Sequence, residues 1–325
     1  MNRLVRVTVI ALVTAGVMIA PAPILAQTYP AKPVRIVVPF PPGGNSDVTA
    51  RLLGQKLDEL WGQRFIVENR PGANTIIGAD VAAHAPPDGY TLLLTLAETV
   101  TMNQYLYKKL PYDPFKDLAP ITMIGRSTTV VAVDAKTGPK TLRELVDRAR
   151  ANPGKLTFGA ATQTSQLAGE MLKSLAGVDI LYVPYKGAAP TIQAMLANEV
   201  TFIIDGLAGT LPHVRTGAFR ILATTGNRLA SMPELQTIAE AAGLPPFDVS
   251  TWQGVFAPGG TPPAIVEKLR AGIERIVNAP EVKGKLQDNG LSVAVSATAD
   301  AFAAFIRRDA EQRAKIIREA GISAQ

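Results

Sequence analysis

Short apolar runs alternate along this chain with stretches of helical period, and that alternation restricts the fold more than any other feature. The runs are Val34–Val38, Phe65–Val67, Thr91–Leu94, Val130–Val133, Leu156–Phe158, Leu181–Val183, Val200–Ile204 and Ile221–Thr225. Most lead through a turn into an amphipathic segment, as Val34–Val38 leads to Val48, Leu52, Leu53, Leu57 and Leu60. A strand that is apolar on both faces has to be covered on both faces, so the pattern predicts parallel-rich sheets flanked by helices, an α/β fold. The chain has 325 residues, and at about 150 residues per domain two lobes are expected. No low-complexity linker separates them, so the polypeptide is expected to cross between lobes along ordered strands. The crossings are placed at Ile121–Val133 and Pro245–Pro258. This divides the chain into one lobe of residues 27–126 and 250–325 and a second of residues 127–249.

The first 26 residues carry a different signal. Arg3 and Arg6 precede the apolar run Val7–Ala20, whose 14 residues fall short of the roughly 20 that a membrane-crossing helix needs. With Pro-Ala-Pro-Ile-Leu-Ala behind it, the segment reads as a secretory signal peptide cut after Ala26, leaving a soluble exported protein. Loss of Arg3 and Arg6 leaves 31 basic against 27 acidic residues, a net charge of +4. That mild excess has no clustered basic face, so nucleic acid is not expected as a partner.

Composition closes further routes. The chain has no cysteine, which removes disulfides, thiolate nucleophiles and thiolate-bound metals. Its two histidines, His84 and His213, form no metal-ligand spacing, and no cofactor or metal is expected. Neither G-x-G-x-x-G nor G-x-x-x-x-G-K-[ST] occurs, nor do G-x-S-x-G or H-E-x-x-H.

The most informative turn is Pro39-Phe40-Pro41-Pro42-Gly43-Gly44-Asn45-Ser46-Asp47, directly after the first strand. The prolines hold an extended path, and the glycine pair lets backbone approach a ligand closely. Ser46 is a candidate N-cap for a helix over Val48–Leu60, with Asp47 in its first turn. Free N–H groups at that helix start make an anion site, although the same residues also suit a plain strand-to-helix turn. A second such turn, Gly159–Gln166, carries Thr162, Thr164 and Ser165 before a helix over Leu167–Ala176. It is either a facing anion site or a satisfied cap. Asp205 ends the strand Val200–Ile204, where it can read a ligand donor or cap the next helix. Weaker candidates are Glu98, Lys186, Trp252 and His213, the last two reading better as packing residues.

Several stretches together resemble the solute-binding proteins of tripartite tricarboxylate transporters, the TctC or Bug family. They are Val34–Asp47, Val67–Gly72, Pro87–Tyr90, Leu106–Asp117, Val183–Gly187, Leu211–His213 and Phe256–Pro262. The resemblance implies a type II periplasmic-binding-protein fold, two lobes joined by crossing strands and closing on a small organic acid. It implies a di- or tricarboxylate, an aromatic acid or an acidic amino acid as ligand, permease subunits as membrane partners, a periplasmic location and a monomer. Carried over by position, the ligand-binding residues are Phe40, Pro42, Gly43, Gly44, Ser46 and Asp47 from the first turn. Thr162, Thr164, Ser165 and Asp205 stand opposite. One departure from the family is the short, glycine-poor second loop, with Gln166 where many relatives carry histidine. The alternative reading is an exported α/β hydrolase acting on a small organic acid through carboxylates such as Asp205 and Glu98.

Overall fold

The computed structural model describes residues 29–226, 228–229, 232–246 and 248–319. The expected signal peptide, residues 1–26, lies outside them. The chain runs β1 (Val34–Val38), α1 (Asn45–Trp61), β2 (Phe65–Asn69), α2 (Ile76–Ala83), β3 (Thr91–Leu96), α3 (Ala97–Thr101), α4 (Asn103–Leu106) and β4 (Leu118–Ser127). It then builds β5 (Thr129–Asp134), α5 (Leu142–Ala151), β6 (Thr157–Ala160), α6 (Gln163–Ala176), β7 (Leu181–Pro184), α7 (Ala188–Leu196), β8 (Phe202–Gly206), α8 (Leu207–Arg215), β9 (Phe219–Thr224) and α9 (Ile238–Ala242). It returns through β10 (Thr251–Pro258), α10 (Pro263–Asn278), α11 (Pro280–Asp288), β11 (Leu291–Val293) and α12 (Ala299–Glu319).

Two sheets result, ordered β11-β4-β10-β3-β1-β2 and β7-β6-β8-β5-β9. They are mixed, where the apolar runs alone suggested mostly parallel pairing. β1 pairs parallel with β2 and β3, and β6 with β7 and β8, but β10 and β5 run antiparallel to their neighbours. The cause is topological. β5 and β10 are the strands by which the chain arrives from the other sheet, so each points away from the gap that the parallel strands point toward.

Apolar periodicity explains the layers. In β1 the side chains of Val34, Ile36 and Val38 join the cluster containing Leu53 and Leu57 of α1 and Leu269 and Ile273 of α10. Val37 joins the opposite cluster, with Ala79 and Ala82 of α2 and Phe302 and Ile306 of α12. β5 repeats this division, with Val131 and Val133 in one cluster and Ala132 in another with Ile192 and Met195 of α7. The two halves are not sealed off from each other. Met102, Leu106 and Ile317, from elements flanking the first sheet, pack into the core of the second.

The crossings are tied by hydrogen bonds. Thr128 lies between β4 and β5; its N–H donates to the Gly290 carbonyl at 3.2 Å, and its carbonyl accepts from Leu207 N–H at 3.0 Å. Thr225 N–H donates to the Thr129 carbonyl at 3.0 Å, joining the outgoing and returning strands. Trp252 opens the return through β10 and is fully buried, edge-on to Phe302 and Phe305, with Nε1 donating to Asp309 Oδ2 at 3.1 Å. It is core, as its apolar setting in the sequence suggested. Trp252→Ala is therefore expected to cost about 3–5 kcal/mol of stability, read by denaturant unfolding; a change below about 1 kcal/mol would show that this ring is not core.

Candidate functional site

The turn after β1 is exposed at Pro41, Pro42 and Gly43 and half-buried at Phe40 and Gly44. Gly43 sits at φ 82°, a left-handed conformation that disfavours any other residue. The helix after it begins at Asn45, not Val48, so Gly44 is the N-cap and Ser46 falls inside the first turn. Gly44 supplies no side chain to cap the helix, and the first N–H groups of a helix have no intrahelical partner.

Asp47 organises this turn from within. Its Oδ2 accepts from Gly43 N–H at 2.9 Å and Arg51 Nε at 3.0 Å, while Oδ1 accepts from Asn69 Nδ2 at 2.9 Å. Asn69 Nδ2 also donates to the Phe40 carbonyl at 3.1 Å, so one end of β2 grips both sides of the turn. Burial opposes ionisation of Asp47, yet the bonds from Arg51, Gly43 and Asn69 and the Arg51 charge prevail and hold the carboxyl below its ordinary value. With both oxygens engaged, Asp47 shapes the turn and does not offer itself to an anion.

The facing turn ends β6. The helix starts at Gln163, four residues before the expected Leu167, because Thr162 caps it. Thr162 Oγ1 accepts from Ser165 N–H at 3.1 Å and donates to Ser165 Oγ at 3.0 Å. Thr164 and Ser165 are thereby drawn into the first turn and buried. Thr164 Oγ1 donates to Glu98 Oε2 at 3.0 Å, a bond between residues on opposite sides of the gap. Asp205 stands at the end of β8, with Oδ1 accepting from Gly206 N–H at 2.7 Å. Its Oδ2 is buried without a partner among the described residues. Burial pushes the Asp205 carboxyl up to about 6, the one opposing influence being the Gly206 N–H.

Neighbouring strands bring these groups into one gap. β1 lies beside β3, so the glycine turn and Glu98 share one rim; β6 lies between β7 and β8, so Thr162–Ser165 sits between Gly187 and Asp205 on the other. The rims touch. A Cβ on Gly187 would stand 3.5 Å from Pro41 Cγ, and Thr164 meets Glu98. The crossings form the floor, where Asn45 Nδ2 and Gln253 Nε2 each donate to Ser127 Oγ at 3.3 Å. Asn45 Oδ1 and Gln253 Oε1 are left buried without partners among the described residues. Asn45 stands inside the turn the sequence singled out, but Ser127 and Gln253 were not legible as site residues; the trace of Gln253 is a polar amide between Trp252 and Gly254 in a mostly apolar strand.

Of the weaker candidates, Lys186 is exposed on the second rim, and His213 packs against the Phe219 ring at 5.1 Å. Among the described residues no group of His, Asp or Glu could hold a metal ion, and no helix is long and apolar enough to cross a membrane.

Comparison with known proteins agrees with this architecture. Residues 49–322 match the model of the tripartite tricarboxylate transporter family receptor. BugT of Bordetella pertussis is 35% identical over 99% of this chain and 98% of its own length. A protein encoded in the tcbD-tcbE intergenic region of Pseudomonas sp. (strain P51) is 37% identical over 92% of this chain and 89% of that one. Rpa4515 of R. palustris, solved with adipate, superposes with a TM-score of 0.87 at 31% identity, covering 91% of this chain and 100% of that one. MatC of Rhodopseudomonas palustris, solved with bound malate, gives a TM-score of 0.81 at 29% identity, covering 89% and 100%.

The Asp205 carboxyl supplies a pH test. The folded protein holds this proton more tightly than the unfolded chain, so its contribution favours folding at low pH and is lost as pH rises from the ordinary 3.8 through about 6. Asp205→Asn is expected to gain in unfolding free energy over wild type between about pH 4 and pH 7, by up to roughly 3 kcal/mol, read from denaturant unfolding at a series of pH values. A difference that stays constant with pH would show that the carboxyl is well solvated.

Proposed function

The chain belongs to the tripartite tricarboxylate transporter receptor family, and from that premise we propose that it captures a small organic carboxylate between its lobes and hands it to membrane permease subunits. It is a solute-binding receptor of two lobes. The observation that carries the carboxylate reading is the glycine turn with its uncapped helix start, opening on the rim that meets the second lobe. A carboxylate docks there on N–H groups of Gly44, Asn45 and Ser46, with Phe40 and Pro42 as its walls. No cationic side chain is needed, because Arg51 is already engaged by Asp47 and the helix start supplies partial positive charge. Backbone N–H bonds to a charged acceptor contribute about 1.5–3 kcal/mol each.

The second lobe closes over the other end of the ligand. Thr162, Thr164, Ser165 and Asp205 stand on its rim, so a ligand that touches both lobes favours the touching state over the separated one. Residues 27–126 with 250–325 form one lobe in this proposal, and residues 127–249 the other, with Ser127–Thr129 and Val249–Thr251 as the passages that bend. The mature protein begins after Ala26, works in the periplasm and acts as a monomer. Similar structures carrying adipate and malate support a carboxylate as the cargo. Nothing at the site favours the hydrolase alternative: Glu98 is occupied by Thr164, and Asp205 has no nucleophile partnered with it.

Gly44 gives the cleanest test. Its φ of −77° suits any residue, and an added Cβ would meet only the Pro41 carbonyl oxygen, at 3.7 Å. Gly44→Val should therefore fold, with about 1 kcal/mol lost at the cap, while its side chain crowds the docking N–H groups. Calorimetry of the mature protein against a panel of organic acids is expected to show at least about a tenfold weaker Kd for the variant, the equivalent of one charged hydrogen bond. Unchanged affinity would remove the turn from the site, and a panel with no binder would refute the receptor's carboxylate cargo.

A further inference from the structure

The pleat of the strands at the crossings sends neighbouring side chains to opposite faces. Ser127 and Gln253 meet Asn45 on one face, while Arg126 and Trp252, one residue along their strands, turn to the other and pack against Phe305 of α12. Ser292 is paired with Arg126 across β4 and β11 and so shares its face. Here lies a cavity of about 130 Å³, lined by Arg126, Thr128, Gly226, Arg228, Ser250 and Ser292 among others. Its Arg126 and Ser292 walls belong to the face turned away from Asn45 and the docking turn. Both crossings contribute to it, since Thr128 follows β4, Gly226 and Arg228 follow β9, and Ser250 precedes β10.

The polar groups around this cavity are donors short of acceptors. The Arg126 guanidinium lies over the Phe305 ring, 5.3 Å from its centroid, and has no hydrogen-bond or ion-pair partner among the described residues. The hydroxyls of Thr128, Ser250 and Ser292 make no hydrogen bond among those residues either. Arg228 gives Nε to Glu240 at 3.1 and 3.2 Å and Nη1 to the Pro233 carbonyl at 3.2 Å, which leaves Nη2 without an acceptor among them. A planar guanidinium with its N–H fork unpaired suits an oxyanion, and hydroxyls on other sides can donate to the remaining oxygens. We propose that this cavity is a second anion site, separate from the carboxylate cleft, that takes a small inorganic oxyanion of the phosphate or sulfate kind between Arg126 and Arg228.

The acids nearby leave the Arg126 charge in place. Glu240 is paired with Arg228, and Asp309 with Arg313. Asp248 is the exception: beside Gly226, its Oδ1 accepts from Ser250 N–H at 2.7 Å, and no cation pairs with it among the described residues. It is exposed, where water and salt weaken its repulsion of an anion. Because the walls come from both crossings, an occupant joins the outgoing passage to the returning one, and its affinity depends on how the lobes are set.

The test is calorimetry of the mature protein with inorganic phosphate, in a chloride buffer of matched ionic strength. One phosphate per chain is expected. Arg126→Gln is expected to weaken its Kd about tenfold or more, the loss of one charge-assisted pair. Ser292→Asp, which sets a negative charge opposite Arg126 at an exposed position, is expected to weaken it as much and serves alone if the Arg126 variant does not fold. Asp248→Asn, which removes the opposing charge, is expected to tighten it. Phosphate binding abolished by Gly44→Val would put the anion in the carboxylate cleft and overturn the inference. No binding at millimolar phosphate would overturn it too, as would a Kd unchanged by Ser292→Asp. Each of these results leaves organic-acid capture untouched, since the acid panel reads that separately.

Discussion

The direction of the crossing strands governs the rest of this molecule. β4 and β9 leave their sheets toward the gap, and β5 and β10 arrive from it, so both sheets present the carboxyl ends of their parallel strands to the same space. Every strand-to-helix turn that can offer free N–H groups then lies on one rim or the other. Ligands of open α/β sheets bind beyond the carboxyl ends of the strands for this reason. Here two sheets share one such crevice. The same geometry brings Asn45 and Gln253 onto Ser127, at the start of one crossing.

The proposed recognition relies on backbone more than on charged side chains. The ionised groups nearest the glycine turn are Asp47 and Arg51, and they are engaged with each other, with Gly43 and with Asn69. Their task is to fix the path of the turn. A turn rigid before the ligand arrives loses little entropy on binding, which lets a few N–H groups suffice. The second rim differs in kind. A buried acid, Asp205, stands there short of a partner, and Thr164 beside it donates to Glu98 of the first rim.

The α/β class, the succession of strands, both crossings and the glycine turn were all legible in the chain, because apolar period and turn chemistry are local properties. The run of hydroxyl and amide side chains in the second loop was visible too, in Thr162-Gln163-Thr164-Ser165-Gln166. Trp252 and His213 read correctly as packing residues, since an aromatic ring among apolar neighbours has little else to do.

What the chain alone did not decide depends on partners distant in sequence. Asp47 reads as one more acid in a first turn until Asn69, 22 residues away, closes on it. Glu98 and Thr164 are 66 residues apart, and only the facing of two sheets makes them a pair. The helix start at Gln163 follows from a hydroxyl finding an N–H, a choice that several threonines and serines in a row leave open. The antiparallel pairing of β5 and β10 likewise needs knowledge of where the chain comes from. Sequence determined which elements form and where they bend, because those follow from neighbours along the chain. Tertiary structure decided which acids are paired and which are left without a partner among the described residues, because burial and pairing depend on what lies across the gap.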